Sequence, residues 1–551
     1  QALEFLIEEH KRIDELKAQL LGGSIVFSDI ETKILEKNIY GVDLNEESVE
    51  IAKLSLWLRT AQKGRKLTTL SNHIKCGNSL IDDPEIAGEK AFNWKNEFPE
   101  VFANGGFNVV IGNPPYVDMR NMLSKDIKYF KKIYTTASDR INLFGLFVEL
   151  SFNKLNKYGE FGMIIHRNLI RSNEYEKCRE LILNKTELNS ILSFKNGVFE
   201  GVTGEMTVLT FSKKEMINYE NDVNIFNYEK TIDSSVYKSK ITQSTFNKCL
   251  GKRFNVYLTK EKTKLLDKIL TEHIPLGKIS YTLQGIIAGD EKRFISNKKI
   301  NEDYKPILRG RDIKRYSAVE PYEYIYFIEG TKVLVRSRKK ENFEFPTKIL
   351  TQHVSGGINA YLDQDRLYYM QTINGTIITD NEYSPKYILT LLNSKLISFY
   401  YDNVFNIGAE FTTAVAIENL DLIPIKIISL IEQTAFIDKA DLMQNLNKEL
   451  QIISDKFIRL VQRKFDIDKL STKLQNWYNF SFSTFISELT KNKVKISLKD
   501  EIEWEMLFLE ESKKVNILIN NILKTDKEID QMVYELYCLT EEEIKIVEEN
   551  S

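Results

Sequence analysis

The segment FNVVIGNPPYV (107–117) constrains this chain more than any other part of it. Its apolar run reads as a strand buried in a sheet. The strand passes without a spacer into Asn113-Pro114-Pro115-Tyr116. Two successive prolines fix the backbone and withhold two N–H donors, and the first also holds Asn113 extended. The strand must therefore end there, in a rigid loop bearing an amide, outward-facing carbonyls and an aromatic ring. In an α/β sheet such a loop lies beyond the carboxyl end of a strand, where ligands gather.

The surrounding pattern supports that sheet. NIYGVDL (38–44), HIKCGNSL (73–80), FGMIIH (161–166) and MTVLTFS (206–212) read as strands, and ESVEIAKLSLWLRTA (47–61) and NLFGLFVELSFNKL (142–155) as helices. This alternation predicts a mostly parallel α/β sheet with crossover helices over residues 1–215. Residues 216–428 are richer in Tyr, Asn, Lys and Thr and predict a separate α+β domain. From 429 to 551 the pattern is helical, with Leu446, Leu450, Ile453, Phe457 and Leu460 at the spacing of a helix-pair seam.

The rigid loop suits an exocyclic amine. The Asn113 side-chain oxygen and the Pro114 carbonyl can each accept a hydrogen bond from an NH2 group. Accepting both protons biases the nitrogen towards tetrahedral geometry, so that its lone pair can attack an electrophilic methyl. Tyr116 can stack on the same base, and the proton can leave after transfer. The plain alternative is a strand-to-turn connection that happens to use Asn and two prolines.

Composition excludes several other classes. The chain has 551 residues, 42% hydrophobic and 28% charged, and no apolar run approaches the roughly 18 uncharged residues of a membrane span. Its four cysteines lie far apart, so a reduced, cytoplasmic setting is expected, without a disulfide framework. The five histidines are dispersed, and no metal site is expected. A P-loop is absent too. The formal charge of −2 hides basic stretches at 305–315 (KPILRGRDIKR) and 332–340 (KVLVRSRKK).

The NPPY segment resembles the signature of S-adenosylmethionine-dependent amino methyltransferases, and its flanks resemble the N6-adenine DNA branch. IYGVDLNEESVEIAKLSLWL is similar to the motif whose carboxylate grips the cofactor ribose. On that resemblance Asp43, with Leu44, is assigned to the cofactor. CGNSL matches the motif in which an Asp usually contacts the cofactor adenine. Here Asn78 stands in that place, followed by Ser79, and the Asn78 carbonyl can still accept from an amine. KNGVFEGVTGEMTVLTFSK (195–213) resembles the motif that walls the flipped base, with Phe199 as the aromatic; the alternative for Phe199 is a core position. The family's Gly-rich cofactor loop has no counterpart in 1–40, since Gly22-Gly23 follows a helical pattern rather than a strand. The chain also opens inside an amphipathic helical pattern. The expectation is a truncated catalytic domain that by itself binds cofactor and methylates poorly.

IPLGKISYTLQGIIAGDEKRFI (274–295), YKPILRGRDIKRY (304–316) and later segments in the same order resemble the TaqI-like specificity domain. Arg309, Arg311, Lys314 and Arg315 are expected to meet phosphates or guanine edges of double-stranded DNA. The C-terminal helices resemble those of type II-G restriction–modification enzymes, in which an upstream nuclease domain shares the polypeptide. No D…(D/E)xK arrangement is found here. The resemblance implies site-specific N6-adenine methylation of DNA. A non-catalytic DNA-binding specificity module is the alternative of another class, and a protein-glutamine methyltransferase, which needs no long reader domain, a lesser one.

Overall fold

The computed structural model describes residues 2–21, 30–60, 70–137, 142–194, 204–229, 234–329, 334–336, 338–355, 357–407, 413–467, 470–492, 494 and 496–550. The chain divides into two compact units, Gln1–Val256 and Tyr257–Ser551.

The first unit opens with helices α1 (Ala2–Leu21) and α2 (Ile30–Lys37). Strand β1 (Gly41–Asp43) follows and turns directly into helix α3 (Glu46–Thr60). Asn45 starts this helix, because its side-chain oxygen accepts the Ser48 N–H at 3.1 Å while its carbonyl takes that of Val49. Glu46 and Glu47 in the first turn and Arg59 in the last suit the helix dipole. Strand β2 (Ile74–Cys76) pairs in parallel with β1. Tyr40, Phe92, Trp94, Phe98 and Phe107 then form an aromatic cluster with ring centroids 5.3–6.0 Å apart, joining this pair to the start of the next strand.

A six-stranded sheet carries the rest of the unit. Strand β3 (Phe107–Gly112) is followed by helices α4 (Ser124–Ile133) and α5 (Leu143–Lys154), and the chain returns as β4 (Leu155–His166), parallel to β3. Helix α6 (Glu176–Lys185) leads to β5 (Thr186–Ser193), then β6 (Met206–Lys213), β7 (Asp222–Glu229) and β8 (Ser234–Thr242). The order is β3-β4-β6-β5-β7-β8. Its main core includes Phe161 and Phe211, stacked at 4.2 Å, with Ile165, Leu188, Ile191 and Leu209 under Phe144, Leu146 and Ile182 of the helices.

The sheet is mixed, which corrects the expected mostly parallel one. β4–β6, β5–β6 and β7–β8 are antiparallel, and only β3–β4 and β5–β7 are parallel. For β7–β8 the reason is connection length. Residues 230–233 are too few to carry a crossover between β7 and β8, so that pair must reverse direction. The sheet also runs on past residue 215 through β7 and β8. β3 is an edge strand of this sheet, and its Val109 and Ile111 are 57% and 63% exposed, where the sequence suggests a buried strand.

The second unit contains two four-stranded sheets. One orders Ser280–Gln284, Ile373–Ile378, Lys348–Gln352 and Ala360–Asp363, all antiparallel. The other orders Ile295–Ser296, Glu323–Tyr326, Tyr304–Leu308 and Tyr368–Tyr369. Lys348 and Asp363 face each other across the first sheet as a fully buried ion pair. Lys348 Nζ also donates to the Phe343 carbonyl at 2.5 Å, and Asp363 accepts the N–H groups of Asp365 and Leu367.

Helices Pro385–Asn393 and Lys395–Val404 pack beside two long ones, α7 (Leu430–Phe465) and α8 (Leu498–Leu536). Helix α7 begins in a capping box between Ser429 and Glu432. The predicted seam is real at Leu446 and Phe457, which are buried, while Leu450, Ile453 and Leu460 are partly so. One hydrophobic core runs through Ile349, Leu362, Leu391, Phe399, Phe436, Met443, Ile529 and Val533, so sheet and long helices bury a common interior.

Asp530 lies in this core and accepts the Lys395 N–H at 2.9 Å, at the start of a helix. Burial pushes its carboxyl up to about 6 from the usual 3.8. A raised folded-state pKa means that its contribution to stability is present below 3.8 and lost as pH rises through about 6. Asp530→Asn keeps the oxygen that accepts from Lys395 and removes the charge. It is expected to stabilise the protein by roughly 1–3 kcal/mol at neutral pH and by almost nothing below pH ~4. Thermal unfolding at the two pH values measures this, and an equal gain at both would contradict it.

Candidate active site and nucleic-acid surface

Asn113–Tyr116 lies where expected, immediately past the carboxyl end of β3. Asn113 and Pro115 are exposed and Pro114 is buried. The loop is fastened downstream: the Val117 carbonyl accepts the Leu143 N–H at 3.0 Å, and Asp118 accepts the N–H and Nε–H of Arg120. The Tyr116 hydroxyl lies 2.7 Å from the Asn113 side-chain oxygen and 2.9 Å from the Ile164 carbonyl on β4. Burial pushes that hydroxyl up to about 12, so it stays a donor at physiological pH. The Tyr116 ring lies 6.0 Å from Phe144, which in turn stacks on Tyr175 at 5.0 Å. An exposed amide, whose oxygen accepts from the Tyr116 hydroxyl and keeps a second lone pair, is thus held by a phenol backed by aromatic rings.

The carboxyl edge of β1–β2 gathers the other predicted site residues. Asp43 is exposed and accepts the Asn45 N–H at 2.8 Å, and its carbonyl accepts the Gly77 N–H at 2.9 Å. Leu44 is 58% exposed. The Asn78 side-chain oxygen accepts the Leu80 N–H at 3.1 Å, which leaves its second lone pair for another donor. Ser79 offers its carbonyl to the Trp94 indole N–H at 3.0 Å. Gly77 is required here, since a Cβ would stand 2.4 Å from the Phe92 ring. A carboxylate and an amide on adjacent strand ends fit the hydroxyls of a ribose and the amine of an adenine, so the donor set suits a nucleoside cofactor. Phe199 lies outside the described residues.

The same edge of the larger sheet holds charged groups that the sequence did not single out. His166 ends β4, and its Nδ1 accepts the Asn168 N–H at 3.1 Å. Burial, with Arg171 nearby, lowers its pKa below 6.5 and keeps the ring neutral at pH 7. Glu205, just before β6, pairs with Arg167 at 3.1 Å and with Arg171 at 2.7 Å. These residues meet because β4 and β6 pair with His166 opposite Met206, and no spacing rule announces that.

The four predicted DNA-contacting cations in the second unit do not act alike. Arg309 is clamped by Glu323 at 2.5 Å and Glu291 at 3.0 Å. Arg315 makes a two-pronged pair with Asp526 of α8, at 2.7 and 2.9 Å, and donates to the Asn393 carbonyl. Arg311 has a 64% exposed side chain that donates to the Tyr322 hydroxyl at 2.8 Å, and Lys314 is exposed. Among the described residues no helix is long and apolar enough to cross a membrane.

Comparison with known proteins agrees with this layout. Residues 37–199 match the Eco57I restriction-modification methylase family, residues 305–425 the TaqI-like C-terminal specificity domain, and residues 429–533 a domain of unknown function. The chain is 29% identical over 233 residues to the type II restriction enzyme and methyltransferase RM.Eco57I of Escherichia coli, across 40% of this chain and 23% of that protein. It is 25% identical over 342 residues to the putative type II restriction enzyme and methyltransferase RM.MjaORFECS2P of Methanocaldococcus jannaschii, across 57% of this chain and 26% of that one. It therefore spans about a quarter of the length of these curated relatives. Among solved structures, the type IIL restriction-modification enzyme MmeI in complex with DNA shares the fold, with a TM-score of 0.53 at 11% identity over 98% of this chain and 75% of that one. Segments similar to the Eco57I restriction-modification methylase family and to the TaqI-like C-terminal specificity domain thus follow one another in one polypeptide.

Proposed function

We propose that this chain methylates the N6 amine of a specific adenine in double-stranded DNA, as the modification activity of a restriction–modification protein. The observation that carries the reading is the exposed Asn113 side chain at the carboxyl end of β3, braced by Tyr116. Duplex adenine must leave the stack to reach such a site, at a cost of a few kcal/mol. The Asn113 oxygen and Pro114 carbonyl receive the amine and aim its lone pair, and the Tyr116 ring supports the base. Bound S-adenosylmethionine, held by Asp43, Leu44, Asn78 and Ser79, supplies a methyl group on a sulfonium. No side chain has to remove a proton before transfer, since the methylated nitrogen loses it to water afterwards. Phe199 is assigned to the second wall of the base pocket. Arg311 and Lys314 are assigned to the DNA backbone and bases, with Arg309 and Arg315 shaping the surface they stand on. The well-separated cysteines and the nucleic-acid substrate suit a cytoplasmic protein.

The test is to sequence modified adenines in plasmid DNA from cells expressing the complete gene that encodes this chain. N6-methyladenine in one sequence context establishes the activity. Unmodified DNA beside a well-expressed, folded protein moves the reading to a DNA-binding specificity module without catalysis.

Tyr116 separates two roles. Tyr116→Phe removes the hydroxyl that holds Asn113 but keeps the ring, and should lower turnover less than tenfold, roughly the worth of one neutral hydrogen bond. Tyr116→Ala also removes the stacking surface, worth about 1–3 kcal/mol per base, and should cost roughly 5- to 160-fold more. Equal losses in single-turnover methylation would show that the ring does not support the base.

A further inference from the structure

Two arginines, Arg167 and Arg171, converge on one carboxylate, Glu205. Glu205 is almost wholly buried and is already met by Arg167, whose side chain is 5% exposed, at 3.1 Å. A buried carboxylate and one buried guanidinium complete a neutral pair. Arg171 adds a second positive charge at 2.7 Å, and its side chain is 30% exposed. The open side of the cluster is therefore the Arg171 guanidinium.

Its place in the fold says what it faces. The Tyr116 hydroxyl touches the Ile164 carbonyl, and His166 lies two residues further along the same strand. A Cβ at Gly204 would stand 2.9 Å from His166 Nε2, so the Gly204–Glu205 backbone lies against that ring. Tyr175, close after Arg171, stacks on Phe144 behind Tyr116. The Arg171 guanidinium thus stands at the sheet edge that holds the Asn113 loop.

We propose that Arg171, oriented by Glu205, binds a backbone phosphate of the nucleotide whose base enters the Asn113–Tyr116 site. This rests on the adenine reading above. A nucleotide rotated out of the duplex carries its flanking phosphates with it, and a guanidinium held on one side by a carboxylate keeps N–H donors for an anion on the other. Glu205 is a positioning residue. It cancels one of two like charges and stops Arg171 from swinging to solvent.

The test compares two short duplexes that differ only in one nucleotide, fully paired or carrying a single unpaired 2-aminopurine, and measures binding by the purified chain against salt. For the unpaired duplex, Arg171→Ala is expected to weaken binding roughly tenfold at low salt. It should also reduce the slope of log affinity against log salt by about 0.9, the loss of one phosphate contact. Arg171→Lys should keep the slope and recover part of the affinity. The paired duplex should show neither change. Arg167–Glu205 remains in Arg171→Ala, and an unchanged melting temperature verifies that the fold is kept. An unchanged slope, or an equal fall on both duplexes, overturns the assignment. Failure of the adenine reading shows in the wild-type chain itself, as equal affinity for the two duplexes and no change in 2-aminopurine fluorescence, and overturns the phosphate assignment with it.

Discussion

Asn113→Ala is expected to lower methyl transfer to duplex adenine by about 100- to 1000-fold, in line with the loss of one preorganised group that acts on the reacting centre. DNA affinity should stay within about twofold, because the amide makes up a small part of a DNA interface that binds chiefly through phosphates. The side chain is exposed and its oxygen accepts from the Tyr116 hydroxyl of the same loop, so its loss opens no cavity. Asn113→Asp keeps an acceptor at the same position and should retain more activity than the alanine variant. Single-turnover rates with saturating DNA, beside equilibrium binding, separate the two effects. Near-normal turnover in Asn113→Ala would sink the mechanism, whereas a parallel loss of binding and rate would point to a displaced loop.

The second large effect concerns Lys348 and Asp363. Either single replacement, Lys348→Met or Asp363→Leu, leaves a lone charge in a site that water does not reach. Such a break costs about 3–5 kcal/mol. At about 2–4 °C per kcal/mol for a domain of this size class, melting should fall by roughly 6–20 °C. The double replacement by apolar residues should recover most of that loss, because a buried pair offsets little more than its own desolvation. Thermal unfolding of the two singles and the double closes the cycle. Additive losses in the double would mean that the two residues act independently, against the register that sets them face to face.

The sequence was most legible where chemistry and local conformation coincide. Asn113–Tyr116 announced its strand end, because two prolines leave the backbone little freedom. Asp43 and Asn78 were legible as strand ends followed by turns. Strand β5, TELNSILS, was not picked out, since Thr, Asn and Ser break its apolar alternation although Leu188 and Ile191 are fully buried. The placement of β6 between β4 and β5 was invisible as well, because strand order is a long-range property, and with it the meeting of His166, Glu205 and Arg171. The basic run at 305–315 was legible as charge but not as partnership. Glu291, Glu323 and Asp526, which engage Arg309 and Arg315, lie up to 211 positions away along the chain.

The interior shared by the specificity sheet and the long helices bears on how such proteins could exchange targets. A graft that ended near residue 428 would strip Phe436, Met443, Ile529 and Val533 from beneath the transplanted sheet and leave Arg315 without Asp526. The compact unit that keeps this interior whole is Tyr257–Ser551. On the proposed function, recombination that swaps recognition specificity is expected to work best with cuts near residue 257, moving reader and helical scaffold as one cassette.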